Sequence, residues 1–517
     1  MTQFRCLKGW KPLEWETPRK GRWQPLVAAI IAVTLIVGGV AAAALTLRQT
    51  SPNVQPVALP EGLTQHDIAV TVSPGGDEAR VAQSVAYRNT AQTALSEVWF
   101  YAHPNAYRSE ETTPFFFDEM AVAYPEGFSP GGMEDIAVTV NGQAVSCQAE
   151  GPGGVHVRVP LAAPLAPEEA VTIAFTYTLR IPRSDGRYGY SQQEVRLCNA
   201  FMTPAVFDGI DWLLYAYGPM GDPFVHEVAD YRVRIEADAR FRLLATGYNA
   251  DAEPTSAIRT FEAKAVREVA VVLSEKPAIT QTEVGSTRVY ALADTQWQAD
   301  AALDTAKESL RIFSEAYGAY PYPVFSVVAS DFFIGGMEYP GLVLIDESIY
   351  ATDAPMLEYI IAHEVAHQWW YAVVGNDQCV NPWLDETLAS HATLTYYLRR
   401  YGVGAGEQVL EEFVAPGALS AYGWLDQLPP VGAPIDVFAD AYDYSDVVYD
   451  YGAVIFEQAR ETYGDDVLTN ALAHYYRQNS FGLASPAAFF AAMEEGGSKA
   501  LSDYLRKTII YRVDPWP

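Results

Sequence analysis

Apolar and polar side chains alternate along much of the region from residue 63 to 276. In residues 171–181, apolar side chains occupy every second position. Turn-forming residues separate such runs, and the dipeptide Asn141-Gly142 between two of them is typical of a tight hairpin. A period of two with frequent turns predicts a β-rich domain, with its sheets arranged like a saddle or a sandwich.

The period of the pattern changes after residue 285, where apolar residues recur at steps of three and four. This spacing predicts an amphipathic helix that ends at Gly318. Its apolar positions are Leu303, Ala306, Leu310, Phe313 and Tyr317. Residues 285–517 are therefore predicted to form a second domain of α/β type, and the whole chain to be a multidomain α+β protein.

Within this second domain, two short apolar runs, 324–329 and 341–345, indicate strands on either side of a glycine-rich loop. Two segments without interior glycine or proline then predict helices, one over about 355–374 and one over about 385–401. A mostly helical pattern continues from there to the C-terminus.

The N-terminal residues have the composition of a membrane anchor. Residues 1–25 carry six basic and two acidic side chains, and residues 26–47 carry no charged one. A helix of that length spans about 33 Å, enough to cross the apolar core of a bilayer. Because positive flanks stay in the cytoplasm, we expect a single-pass protein of the cell membrane whose catalytic domain lies outside the cytoplasm. Residues 48–62 are typical of an extended stalk. A cleaved signal peptide is the alternative, which the alanines at 41–44 favour.

Charge and cysteine content narrow the possible partners. The chain has 517 residues, ample for two cores, and a net charge of −30. An excess of acidic residues this large argues against nucleic acid as a partner and is compatible with peptides. Beyond the anchor lie Cys147, Cys198 and Cys379, an odd number, so we expect at most one disulfide within the chain. Nothing in the sequence indicates an oligomeric state.

The candidate chemistry centres on the stretch His363-Glu364-Val365-Ala366-His367. Residues four apart lie on one face of a helix, so both histidines can bind one metal ion while Glu364 reaches a water on that metal. A third ligand is needed, and Glu386 follows His367 by nineteen residues, near the start of the next predicted helix. Two histidines and a glutamate are typical of a catalytic zinc site with one open position, so we expect one Zn²⁺ per chain.

The spacing of these residues resembles that of the gluzincin zinc aminopeptidases, the family of membrane alanyl aminopeptidase and leukotriene hydrolase. Two further segments are similar to that family, Gly335-Gly336-Met337-Glu338 upstream and Tyr449-Asp450-Tyr451-Gly452 downstream. The resemblance implies a thermolysin-like catalytic domain that removes N-terminal residues from peptides. It also implies that Glu364 is the general base and that Tyr449 stabilises the oxyanion. Glu338 would hold the substrate's amino group, while Gly335, Gly336 and Met337 bind its backbone.

Several features depart from the family's pattern. Tyr339 stands where the family has asparagine, and no clear counterpart of its second amine-binding residue is found, although the region 198–201 is a candidate. These departures leave a zinc endopeptidase as an alternative, and a catalytically inactive peptide-binding ectodomain as another. Only 131 residues follow Glu386, so we expect the large C-terminal helical domain of many relatives to be absent.

The tetrapeptide Gly-Gly-Met-Glu occurs a second time, at residues 131–134. An alternating apolar run and the Asn141-Gly142 turn follow it, so we interpret this copy as a loop that leads into a strand.

Overall fold

Strands dominate the first half of the computed structural model, which describes residues 57–248, 257–352 and 354–511. Up to residue 293 they are β1 (Gln65–Val72), β2 (Glu78–Arg88), β3 (Leu95–Tyr101), β4 (Gly132–Val140), β5 (Gln143–Val145), β6 (Gln148–Glu150), β7 (His156–Leu165), β8 (Ala170–Arg180), β9 (Tyr188–Tyr190), β10 (Glu194–Leu197), β11 (Thr203–Pro204), β12 (Ala229–Glu236), β13 (Arg242–Ala245), β14 (Ile258–Val266), β15 (Val271–Ser274), β16 (Ala278–Val284) and β17 (Thr287–Ala293). Three more strands follow, β18 (Val324–Ser330), β19 (Gly336–Met337) and β20 (Leu342–Asp346).

The first fifteen strands form three sheets. A seven-stranded sheet has the order β14-β12-β1-β2-β8-β4-β5, and two four-stranded sheets have the orders β13-β15-β10-β9 and β11-β3-β7-β6. Side chains along β8 alternate between buried and exposed, as the period of two predicts. The predicted hairpin is present between β4 and β5, where Asn141 and Gly142 both have positive φ.

Helices dominate the second half. The α-helices are α1 (Met120–Ala123), α2 (Gln296–Ala316), α3 (Glu347–Thr352), α4 (Ala354–Ala366), α5 (Glu386–Tyr401), α6 (Val403–Val409), α7 (Ala415–Gly423), α8 (Ala441–Tyr444), α9 (Gly452–Tyr463), α10 (Asp465–Asn479), α11 (Pro486–Gly496) and α12 (Lys499–Tyr511). Two π-helical segments cover Leu410–Val414 and Ser445–Tyr451. Short 3₁₀ turns cover His103–Arg108, Pro152–Gly154, Pro382–Leu384 and Ile435–Val437.

A mixed five-stranded sheet, in the order β16-β17-β18-β20-β19, joins the β-rich part to the helices. Its edge strand β19 contains Gly336 and Met337 and runs antiparallel to β20. Helix α2, which begins at a capping box on Thr295 and Gln298, lies between this sheet and α4. The β-rich first part, the mixed sheet and the helices make the chain an α+β protein, as predicted.

The helix that contains His363 is shorter than the sequence predicts. It ends at Ala366 rather than near residue 374, and the chain then turns through Tyr371, whose φ is 147°. Two tertiary contacts account for the early end. Trp369 is buried and its indole N–H donates to the Gly318 carbonyl at 2.8 Å, while the Arg267 guanidinium binds the carbonyls that follow the turn. Arg267 satisfies carbonyls that would otherwise accept hydrogen bonds within a longer helix, and the Trp369 contact holds the turn against α2.

Arg267 ties the β-rich part to the turn after α4. Its guanidinium is buried and donates to the carbonyls of Tyr371 (2.6 Å), His226 (2.8 Å), Gly482 (2.7 Å) and Val373 (3.2 Å). A buried cation needs such partners, because its desolvation is costly. The arrangement fixes the chain immediately beyond the candidate metal ligands.

One detail of the sequence interpretation changes, while the cysteines agree with the prediction of at most one disulfide. The second Gly-Gly-Met-Glu copy is largely strand rather than loop, because the backbone from Gly132 onward pairs with β8. Cys147, Cys198 and Cys379 are all free thiols, so these three cysteines form no disulfide with one another.

The predicted anchor, residues 26–47, and the tail before it lie outside the described residues. Among the residues that are described, no helix has the length and apolar character that a membrane span requires. The described part of the chain lies in one compact unit, and the predicted domain boundary between residues 276 and 285 stays a prediction.

Candidate metal and substrate site

Three side chains from α4, α5 and the residue after α4 converge on one point. The Nε2 atoms of His363 and His367 lie 3.1 Å apart. The Oε2 atom of Glu386 lies 3.3 Å from the first and 3.2 Å from the second. All three side chains are buried, and they form one of the two clusters of potential metal ligands among the described residues.

These separations fit a tetrahedral metal ion. Ligand atoms that bind zinc at 2.0–2.1 Å in a tetrahedron are about 3.3 Å from one another. The Nδ1 atom of His367 lies 3.0 Å from the Trp370 carbonyl, a hydrogen bond that leaves Nε2 unprotonated in the neutral ring and free to bind a metal. The residues present therefore match a site with two histidines, one glutamate and one open position.

The local sequence explains how each ligand is placed. His363 is in the last turn of α4, and the His367 amide still donates to the His363 carbonyl at 3.3 Å, so the helical spacing persists beyond the assigned helix. Glu386 is the first residue of α5, where Asp385 accepts its amide hydrogen at 2.8 Å. An N-terminal position in a helix suits a carboxylate, because the helix dipole stabilises negative charge there.

Glu364 points to the β19 edge strand. A Cβ atom added to Gly336 would lie only 2.1 Å from the Glu364 Oε1 atom, so no larger residue fits at Gly336 without displacing the carboxylate. Burial raises the pKa of Glu364 to about 8, against the opposing charge of His367. A carboxyl group that titrates near neutrality can take up a proton and release it again.

Glu338 is buried two residues beyond Gly336, in the segment 335–339, which we name the substrate strip. A carboxylate that the sequence did not indicate lies close to it. Asp222, from a loop of the β-rich part, forms with Glu338 and Glu386 the second cluster of potential cation ligands. Burial raises the pKa of both Asp222 and Glu338. Arg187 contacts the Asp222 carboxylate, and Gln378 donates to Glu338 at 3.3 Å.

The sequence gives no local signal for Asp222 or Arg187. Both lie in irregular segments of the β-rich part, far from the motif in the chain, and only the fold brings them to the site. The role of the region 198–201 in amine binding stays a prediction. Within this region, Asn199 accepts a hydrogen bond from Tyr339 at 2.8 Å.

The other predicted strip residues also surround the site. Gly335 has a φ of 92°, and its carbonyl accepts a hydrogen bond from the Asp346 amide at 2.8 Å. Met337 is fully buried, with its Sδ atom 3.1 Å from the Arg187 Nε atom. The strip is thus held on one side by β20 and on the other by the β-rich part.

Tyr449 lies beside the candidate metal ligands. Its ring stacks on His363, with ring centroids 5.8 Å apart, and burial raises the pKa of its hydroxyl, as does the nearby Glu386. Tyr444 packs edge-on against Tyr449 at 5.6 Å. Of the other tyrosines in this segment, Tyr442 is largely exposed, and Tyr451 is buried in the core.

Comparison with known families agrees with this geometry. Residues 301–513 match the Peptidase family M1 domain. This part of the chain is therefore a peptidase M1 domain. The family predicted from the spacing of His363, His367 and Glu386 is therefore confirmed.

Individual relatives of the M1 domain are similar to this chain over part of their length. Aminopeptidase N of Lactobacillus helveticus is 31% identical over 200 residues, which cover 36% of this chain and 23% of the relative. Endoplasmic reticulum aminopeptidase 1 of Homo sapiens is 28% identical over 228 residues, which cover 41% of this chain and 24% of the relative. The chain thus spans about a quarter of the length of these curated relatives.

Among solved structures, the M1 zinc metallopeptidase from Deinococcus radiodurans has a similar fold. The TM-score is 0.59 at 19% sequence identity, and the match covers 88% of this chain and 94% of that one. The likeness extends beyond the M1 domain into the β-rich part.

Metal analysis tests the three-ligand site. The purified wild-type chain is expected to hold about one zinc ion, and Glu386→Ala is expected to lose at least about nine-tenths of it after dialysis, because only two ligands remain. Inductively coupled plasma mass spectrometry gives the content. Glu364→Gln is the matched control, since it changes a neighbouring carboxylate that is not a ligand, and it is expected to keep its zinc. Equal zinc in wild type and Glu386→Ala would contradict this site.

Proposed function

We propose that this protein is a membrane-anchored zinc aminopeptidase that removes N-terminal residues from peptides. The observation that carries the proposal is the tetrahedral spacing of the His363, His367 and Glu386 donor atoms, with the Glu364 carboxylate directly alongside. The peptidase M1 domain supports it, and so do the aminopeptidase names of the relatives.

The donor set is the one expected for catalytic zinc. When bound, zinc polarises a carbonyl oxygen and lowers the pKa of a water molecule to about 7. A structural zinc site would instead use four protein ligands, and no fourth ligand joins these three among the described residues.

The residues of the chain account for the remaining steps. Glu364 is placed to take a proton from the attacking water and to return it to the leaving amine, and its pKa of about 8 suits both transfers. The Tyr449 hydroxyl keeps its proton, because burial raises its pKa, and it can donate to the oxyanion formed from the substrate carbonyl. A tyrosine donor held between the His363 and Tyr444 rings needs little reorganisation during the reaction.

The pair Glu338 and Asp222 favours an aminopeptidase over an endopeptidase. A buried carboxylate, Glu338, and a partly buried one, Asp222, lie within reach of the metal ligands and provide a binding site for a substrate ammonium group. Arg187 neutralises only one of them. An endopeptidase substrate would place uncharged backbone next to these carboxylates. Their negative charge would then stay uncompensated.

The site argues against an inactive peptide-binding protein. His363, Glu364, His367 and Glu386 all retain catalytic side chains in compatible positions, although a peptide-binding cleft requires none of them. The thermolysin-like character of the M1 part remains a prediction from the resemblance.

The membrane anchor is supported by the sequence. Residues 26–47 are uncharged, and basic residues precede them. The cell-surface location of the site follows from that orientation and forms part of the proposal.

Replacement of Glu364 tests the reaction. Glu364→Gln is expected to lower hydrolysis of aminoacyl chromogenic substrates by about 10²–10⁴-fold, because the amide cannot accept the water proton. Steady-state rates are measured at matched zinc content, so that loss of metal does not imitate loss of the base. Unchanged activity would remove this mechanism.

A pair of peptides that differ only in an N-acetyl cap separates the exopeptidase from the endopeptidase. We expect the capped peptide to be cleaved at least about 100-fold more slowly, since charge-assisted hydrogen bonds of about 1.5–3 kcal/mol are lost. Glu338→Gln replaces the carboxylate by an amide of nearly the same volume. This variant is expected to raise KM for the free peptide and to reduce the difference in cleavage rate between the free and the capped peptide. Equal cleavage of both peptides by the wild type would favour the endopeptidase.

Fractionation of cells tests the anchor. The full chain is expected to stay with the membrane after an alkaline carbonate wash, whereas a chain that begins at residue 49 is expected to be released, because it lacks the apolar stretch. N-terminal sequencing of the full-length product shows whether residues 1–47 are retained. A soluble product that begins after the alanine-rich end at 41–44 would favour a cleaved signal peptide instead.

A further inference from the structure

A chain of buried side chains connects the substrate strip to the turn beyond the metal ligands. Tyr339, the residue after Glu338, donates its hydroxyl hydrogen to Asn199 Oδ1 at 2.8 Å. The Asn199 side-chain amide donates to one carboxylate oxygen of Glu268, and the Tyr371 hydroxyl donates to the other. All four side chains are at least nine-tenths buried. We name Tyr339, Asn199, Glu268 and Tyr371 the relay.

The relay stabilises two residues whose backbone conformations are energetically unfavourable. Tyr371 has a φ of 147° and Asn199 a φ of 51°, both in the region that favours glycine. Such conformations cost of order 1–3 kcal/mol and persist only where the surroundings fix them. Glu268 contacts both residues, so a single carboxylate holds the two strained positions in place.

The inner members of the relay belong to a rigid support. Asn199 follows β10 and Glu268 precedes β15, and these two strands pair with each other in one four-stranded sheet. The outer members, Tyr339 and Tyr371, belong to the substrate strip and to the turn four residues beyond His367. The sheet of the β-rich part therefore sets the separation of the two segments that form the site.

A second set of hydrogen bonds, within the M1 domain, also connects the substrate strip to the segment after His367. Gln368, next to His367, accepts a hydrogen bond from the Gly341 amide at 2.8 Å and donates to the Tyr339 carbonyl at 3.2 Å. This contact fixes the strip backbone, but it does not reach the β-rich part. Of the two sets of hydrogen bonds, only the relay connects the Tyr339 side chain to the four-stranded sheet of the β-rich part. The same sheet supports the loop that contains Arg187.

We propose that the relay, with Glu268 at its centre, positions the Glu338 carboxylate and thereby sets the enzyme's affinity for the substrate's free amino group. The relay residues are positioning residues, because Glu338 and Asp222, not they, face the amine. This inference rests on the proposed aminopeptidase function. It gives a physical role to Tyr339, whose hydroxyl reaches into the β-rich part.

The test removes one hydroxyl at each end of the relay. Tyr339→Phe and Tyr371→Phe are each expected to raise KM for an aminoacyl chromogenic substrate about tenfold, because a buried hydrogen-bonding partner is left unsatisfied and Glu338 shifts. The kcat value and the zinc content are expected to stay within about twofold, because the metal ligands and Glu364 are held by other contacts.

The control is Tyr350→Phe. Tyr350 is equally buried, but its hydroxyl has no hydrogen-bond partner among the described residues, so its removal changes neither the relay nor KM. The double variant Tyr339→Phe/Tyr371→Phe is expected to resemble the single variants, since either change interrupts the same chain, whereas independent effects would multiply to about 100-fold.

Binding of a free amino acid, measured by titration calorimetry, separates this inference from the proposed function. If the wild type hydrolyses no aminoacyl substrate, the aminopeptidase proposal fails, and weaker amino acid binding by Tyr339→Phe still supports the relay. If the wild type is active but KM and amino acid affinity are unchanged in Tyr339→Phe, the relay inference is overturned. If Tyr350→Phe raises KM as much as the relay variants do, the effect is general loosening of the core and the inference is also overturned. Should Tyr371→Phe fail to fold, Tyr339→Phe decides alone.

Discussion

The site depends on a concentration of buried negative charge that the protein itself does not neutralise. Glu338, Glu364, Asp385 and Glu386 are buried around one point, and Asp222 beside them is 13% exposed and pairs with Arg187. Burial raises the pKa of four of these carboxyl groups, whereas the two histidines lower that of Glu386. Isolated buried carboxylates are costly, so a fold that gathers these five groups favours bound cations. In the proposed function, a divalent metal and a substrate ammonium group supply the required charge, so that metal binding and recognition of the N-terminus would both follow from one electrostatic constraint.

The glycine at position 336 follows from close packing at the same site. The β19 backbone approaches α4 so closely that a single added carbon at Gly336 would overlap the Glu364 carboxylate. In the proposed mechanism, substrate backbone along this edge strand would therefore lie next to Glu364 without an intervening side chain. The tetrapeptide Gly-Gly-Met-Glu is a weak signal in the sequence, but the close approach of β19 and α4 explains why its second residue is glycine. In the copy at 131–134, the atoms nearest to a Cβ added at Gly132 belong instead to the Arg108 side chain, at 3.1 Å.

The sequence indicated the metal ligands because their spacing reflects local helix geometry. Residues four apart share a helix face wherever the helix lies, and Glu386 could be found because it starts the next helix. Asp222, Arg187 and the partner of Tyr339 could not be found in this way. They reach the site through the packing of the β-rich part against the M1 part, and no periodic pattern marks them. The end of α4 was missed for the same reason, since distant groups such as Arg267 and Gly318 terminate it.

The segment that carries Tyr449 shows how local irregularity serves the site. Ser445–Tyr451 is π-helical, so its hydrogen bonds join residues five apart and side chains at that separation approach one another. In a regular α-helix, Tyr444 and Tyr449 would project about 140° apart, whereas here their ring centroids are 5.6 Å apart. Tyr444 thus packs against Tyr449 and limits its ring to the face of His363. A widened turn weakens hydrogen-bond geometry, and at this position it sets the Tyr449 ring against His363, where the proposed reaction would require a hydroxyl donor.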